Sequence, residues 1–321
     1  MNKTIFLCAV SLACVATVCA APAKGKVAAR RPAAQRSAAF PETAFRRTPY
    51  VGAIAVDAQT GEVLFERHAD AVARPASVTK LMTLLLCLED MHAFKYDPTT
   101  RVTASVRCCQ ERPSSVGLKP GQSMTVDDLL MSIMVRSAND AAVLLAEHST
   151  AANAGRAIEP GDLQAFVLRM NNKARELGMA HTHYATPNGY PPRPGSKRPF
   201  DTSTCRDLVK LARAVLRYPE VFRFTKTKLC TVTDGAGKPL KMVNHNNILV
   251  KDKQKILNEQ GESEVDGLKT GYIDAGGSSI ILTGARNGKR AIVVVVGSQT
   301  SKLRDQHARA LMVEALDRVA K

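Results

Sequence analysis

Ser77 and Lys80 stand three residues apart where the apolar run SVTKLMTLLLCLEDM begins, just after Pro75. On a helix that spacing puts a hydroxyl and an amine on one face. An amine partly withdrawn from water loses proton affinity and can take the serine proton, which equips the pair for nucleophilic acyl transfer. Alone, the spacing is commonplace. Two further clusters give it context. Ser137-Ala138-Asn139 falls between two apolar helical runs, where a tight polar connection can point a hydroxyl and an amide into a cleft. Lys269-Thr270-Gly271 follows the strand-like VDGL and precedes Tyr272. A lysine and a threonine on an edge strand can bind a carboxylate, and Gly271 lets a ligand lie against the backbone.

The elements that must position these groups are legible in outline. Val51–Asp70 reads as two strands around Gln59-Thr60-Gly61, a β-hairpin. Pro75 then opens a buried helix. Residues 97–107 look β-like. Thr125 can cap the next helix, with Asp128 at the acidic position of a capping box. That helix breaks near Ser137 and resumes at NDAAVLLAEH. Further helices are expected at Asp162–Leu177, ending at Gly178, and at Cys205–Arg217. Residues 187–199 and 251–263 read as polar surface loops. Val265–Thr270, Ser278–Ala285 and Arg290–Gly297 follow as strands, the last two joined by the hairpin dipeptide Asn287-Gly288. A helix over Ser301–Val319 closes the chain. Strands at both ends with helices between them predict one mixed α/β domain over 46–321.

The order S-x-x-K, S-x-N, K-T-G resembles the signature set of penicillin-binding proteins and class A β-lactamases. The longer phrases RPASVTKLMTLLL, MSIMVRSANDAAVLLAE, MNNKARELGMAHTHYATPNGY, DTSTCRDLVKLARAVL and GLKTGYIDAGGSSIILTG are similar to those of the low-molecular-mass D-alanyl-D-alanine carboxypeptidases, peptidase family S11. The resemblance covers roughly residues 46–320. It implies a β-lactamase/transpeptidase-like fold: an antiparallel sheet of N- and C-terminal strands flanked by helices, plus a mainly helical subdomain. It implies peptidoglycan stem peptides as substrate, covalent binding of β-lactam antibiotics, and neither cofactor nor metal. Ser77 is then the acylated nucleophile and Lys80 its base. Ser137 shuttles the proton to the leaving group and Asn139 orients the substrate. Lys269, Thr270, Gly271 and Arg304 form the carboxylate-binding side. The oxyanion hole would be the backbone N–H groups of Ser77 and Tyr272. The sequence departs from the family phrase at Thr186-Pro187, where Asn-Pro is usual.

Other readings lose ground on particular residues. A class A β-lactamase needs a deacylating glutamate between Ser137 and Lys269; Glu159-Pro160 offers one, but Leu163 stands where asparagine is expected. A D,D-endopeptidase acting on cross-links would use the same residues and differ only in leaving group. A catalytically dead wall-binding protein is the non-enzymatic counterpart.

Charge and cysteine count sharpen the setting. Lys plus Arg number 45 against 29 Asp plus Glu, a net +16. Residues 1–21, MNKTIFLCAVSLACVATVCAA, have the form of a secretory signal. Residues 22–45 read as a flexible basic tether with few large apolar side chains. Lys3, Lys24, Lys26, Arg30, Arg31 and Arg36 carry six of the charges, leaving about +10 elsewhere. With export expected to the periplasm or cell envelope, that charge suits an anionic wall better than nucleic acid, for which no motif is present. A cleaved signal leaves no stable membrane anchor. Of eight cysteines, Cys8, Cys14 and Cys19 lie in the leader, and the other five form no C-x-x-C. No HExxH occurs, and His181 and His183 read as local surface structure.

Overall fold

The computed structural model describes residues 49–321 except 252 and 254, so the leader and tether expected from the sequence lie outside the described residues. β1 (Gly52–Asp57) and β2 (Val63–Arg67) form the expected hairpin. Its turn is held by Asp57, whose Oδ1 accepts from the N–H of Gln59 at 2.7 Å and of Thr60 at 2.8 Å. At the other end of the chain run β7 (Val265–Ile273), β8 (Gly277–Arg286) and β9 (Lys289–Ser298). Asn287 and Gly288, between β8 and β9, both have positive φ, 50° and 75°, as a two-residue primed turn demands. The five strands make one antiparallel sheet in the order β2-β1-β9-β8-β7. β7 is thus an edge strand.

Both sheet faces are covered, which is why β8 and β9 read as nearly continuous apolar runs. Ala53, Ala55, Ile280, Leu282, Val293 and Val295 face α8 (Ser301–Val319), packing with Ala308, Met312 and Leu316. The alternate residues Ile54, Val56, Ile281, Ile292, Val294 and Val296 face the remaining helices. The period of two thus divides each strand between two cores.

The helical side centres on α1 (Lys80–His92), entered through a 3₁₀ turn at Ala76–Thr79 and buried almost all round. α2 (Val126–Met131) starts at Thr125, whose hydroxyl accepts from the Asp128 N–H at 3.1 Å, the expected cap. The helix then widens into a π-turn at Ser132–Arg136 and stops at Ser137, and α3 (Asn139–Asn153) resumes after it. α4 (Asp162–Glu176) ends before Gly178, whose φ is 69°. α5 (Cys205–Val215) packs on the sheet with Leu208, Leu211 and Val215 buried.

One expectation is corrected, and one element is new. Residues 97–107 are not a strand throughout: only β3 (Arg101–Thr103) is, paired with β4 (Ser123–Thr125). Beyond it the Ser105 hydroxyl accepts the Cys108 N–H at 3.0 Å and turns the chain into a 3₁₀ turn, a local side-chain bond displacing the ladder. A hairpin of β5 (Leu229–Thr233) and β6 (Pro239–Val243) was not anticipated; Val232 and Met242 anchor it in the helical core. Between it and β7 the short α7 (Asn247–Val250) is capped by the Asn246 side chain, and α6 (Val221–Thr225) precedes it.

Candidate active site

Ser77 is half-buried in the 3₁₀ turn, and Lys80 is the first residue of α1, with no solvent exposure. Lys80 Nζ lies 2.9 Å from Ser77 Oγ, 2.7 Å from Asn139 Oδ1 and 2.7 Å from the Asn188 carbonyl oxygen. The partners differ in kind. Two are amide carbonyl oxygens, which can only accept; the Ser77 hydroxyl alone can also donate. A neutral amine has two N–H bonds and one lone pair. Spent on Asn139 and Asn188, its donors leave the lone pair directed at the Ser77 O–H. Burial first, and the nearby Lys269 charge second, hold the Lys80 amine well below the usual lysine range and favour that neutral form.

The second cluster faces the first. Ser137 terminates the π-turn in the left-handed region, φ 60°, a conformation costing a residue other than glycine about 1–3 kcal/mol. Asn139 N–H donates to the Ser114 carbonyl at 2.7 Å, and Ser114 Oγ donates to the Arg136 carbonyl at 2.9 Å, so residues flanking the strained one are pinned from outside the helix. Ser137 Oγ accepts from Lys269 Nζ at 3.0 Å, and Lys269 also donates to the Thr270 carbonyl at 2.9 Å. Lys269 is buried on β7 opposite Ile281. Burial, then the neighbouring Arg304 charge, bring its amine down to about 7. Two hydrogen-bonded sets thus meet here: Lys80 with Ser77 and Asn139, and Lys269 with Ser137, held by α1, the α2–α3 break and β7.

Packing explains the glycines. A Cβ on Gly271 would lie 2.5 Å from the Pro75 carbonyl oxygen and 3.1 Å from the Ser77 nitrogen, so only glycine lets the edge strand approach the serine turn this closely. A Cβ on Gly189, whose φ is 75°, would come within 1.9 Å of the Ala76 carbonyl oxygen. Tyr272 lies next along β7, opposite Ser278, its ring 58% exposed and its hydroxyl donating to Asp274 at 2.6 Å. Thr270 is buried. Arg304 is 3% exposed, and its Nε and Nη2 both donate to Asp305 Oδ1, at 2.8 and 2.6 Å.

Several supporting residues escaped the sequence reading. Asn188 holds Lys80 through its carbonyl, and its side-chain amide donates to Glu111 Oε2 at 3.1 Å. Asp201 is buried and accepts from Thr79 and Thr186 hydroxyls at 2.9 and 3.0 Å and from the Ala185 N–H at 2.8 Å. It thereby ties the serine turn to the segment carrying Asn188. Thr186 also accepts from the Gly189 N–H at 2.8 Å, so the departure from the family phrase keeps a side-chain acceptor at the turn. Asn188 and Gly189 fall within the segment MNNKARELGMAHTHYATPNGY, whereas Glu111 has no pattern to mark it. His245 is brought down to about 4 by burial first and then by Lys269, Arg136, Lys80 and Arg304. Among the described residues no group of acidic, histidine or cysteine side chains could hold a metal ion, and Cys87, Cys108, Cys109, Cys205 and Cys230 are all free thiols.

An antiparallel sheet flanked by helices, with a serine–lysine pair between its edge strand and a helical subdomain, defines the penicillin-binding, transpeptidase-like fold. A crystal structure of penicillin-binding protein D2 from Listeria monocytogenes in the ampicillin-bound form superposes with a TM-score of 0.66 at 28% identity, over 85% of this chain and 98% of that one. Residues 49–300 match the D-alanyl-D-alanine carboxypeptidase family model, Peptidase S11, and the chain belongs to that family. Relatives include D-alanyl-D-alanine carboxypeptidase DacF of Bacillus subtilis, 29% identical over 81% of this chain and 60% of its own length. Another is the D-alanyl-D-alanine endopeptidase of Escherichia coli, 28% identical over 76% of this chain and 70% of that protein. The chain thus spans about 60% of the length of relatives such as DacF.

Proposed function

We propose that the protein is a serine D-alanyl-D-alanine carboxypeptidase that removes the terminal D-alanine from peptidoglycan stem peptides, working as an exported enzyme of the periplasm or cell envelope. The observation that carries the reading is the buried Lys80 Nζ, 2.9 Å from Ser77 Oγ and held by two amide carbonyls, so that a neutral amine has its lone pair free for the Ser77 proton. Ser77 Oγ attacks the carbonyl of the penultimate residue as Lys80 takes its proton. The negative charge that develops on the carbonyl oxygen is met by the backbone N–H groups of Ser77 and Tyr272, at the narrow gap Gly271 permits. Ser137 passes a proton to the departing amine; Lys269, bonded to its hydroxyl, sets that hydroxyl's direction. Lys269 and Thr270 take the terminal carboxylate, with Arg304 adding buried positive charge behind them. An anion arriving there raises the proton affinity of Lys269, so binding itself charges the lysine. Water then hydrolyses the acyl-enzyme. Asn139 has a double part, fixing Lys80 through its carbonyl and leaving its amide N–H₂ for the substrate.

β-Lactams would acylate the same serine. A fluorescent penicillin should label the wild-type chain covalently and fail to label Ser77→Ala; an unlabelled wild type refutes the acyl-enzyme. The E. coli endopeptidase relative favours a second reading, cleavage of cross-links by the same residues. Defined muropeptides separate the two: free D-alanine is released in one case, and cross-linked dimers become monomers in the other.

A further inference from the structure

Asn188 also lines a cavity of about 900 Å³ that none of Ser77, Lys80, Ser137 or Lys269 lines. Its volume is in the range of small-molecule sites, about 300–1,000 Å³. The geometry points to a second ligand site here, for a short acidic peptide that carries an aliphatic side chain beside its carboxylates.

The chemistry of the walls is two-sided. One side is aliphatic: Leu163, Val167 and Leu168 of α4, with Leu168 59% exposed at the rim. The other is cationic: Arg107, Arg112, Arg193 and Arg198 against a single carboxylate, Glu111. That carboxylate is already engaged, accepting from Arg107 at 2.6 Å and from the Asn188 amide at 3.1 Å. Arg198 supplies the specific donor. Its Nη2 donates to the Tyr190 carbonyl at 2.9 Å, but its Nη1 is buried with no partner. Burial pulls the Arg198 guanidinium below the usual arginine value, so it sits where an added anion would be favourable. A buried guanidinium N–H without an acceptor is costly, and a carboxylate is its natural complement. An apolar wall with a few convergent donors is the usual make-up of a ligand pocket.

The site does not depend on the proposed reaction, and its test reads binding. The probe is N-acetyl-Leu-Glu, titrated into the full chain by calorimetry, with the uncharged N-acetyl-Leu-Gln-amide as control. Saturable binding of the acid, at least about tenfold tighter than the amide, is expected, as is a loss of at least about tenfold in Arg198→Met, the range for removing a hydrogen bond to a charged group. Leu168→Glu, at an exposed rim position and therefore harmless to folding, should weaken binding by a similar factor through like-charge repulsion. Absence of saturable binding by the wild type overturns the proposal, and so does equal binding of acid and amide. Unchanged affinity in a folded Arg198→Met protein also overturns it, because the carboxylate would then be held elsewhere, as at Lys269. If Arg198→Met does not fold, Leu168→Glu decides alone, with unchanged affinity the refuting result.

Discussion

Placing a methyl group on Gly271 should separate chemistry from folding. Gly271 is in ordinary extended backbone, so alanine meets no conformational strain there. The obstacle is the neighbour: the new Cβ would stand 2.5 Å from the Pro75 carbonyl oxygen and 3.1 Å from the nitrogens of Ser77 and Val78. Restoring ordinary contact requires β7 and the serine turn to part by roughly 0.5–1 Å. That gap is the one across which the Ser77 and Tyr272 N–H groups are proposed to converge. A misplacement of about 1 Å costs on the order of 10²-fold in rate, and loss of one oxyanion donor about 10²–10³-fold. Gly271→Ala should therefore acylate with fluorescent penicillin about 10²-fold more slowly than wild type. Overpacking costs about 1–3 kcal/mol, and in a chain of this size each kcal/mol is roughly 2–4 °C in Tm, so the variant should remain folded at assay temperature. Time courses of labelling, run beside thermal unfolding, read both quantities. If the variant acylates within about threefold of wild type, the close approach has no part in catalysis and the argument from Gly271 fails. Gly189→Ala is the contrast: at 1.9 Å from the Ala76 oxygen and a φ of 75°, it should fail to fold stably.

Lys269→Met removes a positive charge that lowers the proton affinity of Lys80, so the acid limb of the acylation pH–rate profile should move to higher pH. The folded chain releases the Lys269 proton at about 7 and the unfolded chain near 10.5; the unfolded state therefore binds more protons between these values, and wild-type stability relative to Lys269→Met should rise across that window in urea titrations at stepped pH. Asp201→Ala strands the Thr79 and Thr186 hydroxyls and the Ala185 N–H and should cost about 1–3 kcal/mol in denaturant unfolding, with slower acylation because the serine turn loses its tether. Of the five cysteines among the described residues, native protein should expose at most the two half-buried thiols, Cys109 and Cys230, to a thiol reagent, and denaturant should release Cys87, Cys108 and Cys205; a reductant should leave Tm unchanged.

What could be read from the sequence was whatever is written in local chemistry. The hairpins at Gln59-Gly61 and Asn287-Gly288, the Thr125 cap and the break before Asn139 each depend on residues a few positions apart, and each stands where it was expected. Residues of the three short motifs stand in two hydrogen-bonded sets, one around Lys80 and one around Lys269. The residues that escaped act through groups without a pattern. Asn188 meets Lys80 through a backbone carbonyl, which every residue possesses. Asp201 is a lone carboxylate whose partners lie 15 to 122 positions away. Arg304 was expected on the carboxylate-binding side, but helix periodicity does not reveal that Asp305, the next residue, accepts from its guanidinium. The β5–β6 hairpin has a turn, Asp234-Gly235-Ala236-Gly237, longer than the two-residue signal that betrays tight hairpins.

The sheet order also dictates when the molecule becomes competent. β1, among the first elements made, lies between β2 and β9, pairing Gly52 with Val296. Ser77 and Lys80 are synthesised early, but the lysine-bearing edge strand that faces them is completed only at Ile273 and is held in the sheet through β8 and β9. Contacts of such long sequence separation are slow to form, because the loop entropy must be spent first. Until β7, β8 and β9 are in place, β1 is unpaired on one side and Lys80 lacks the facing strand. The wall facing Ser77 and Lys80 is therefore complete only once β7 is held in the sheet through β8 and β9.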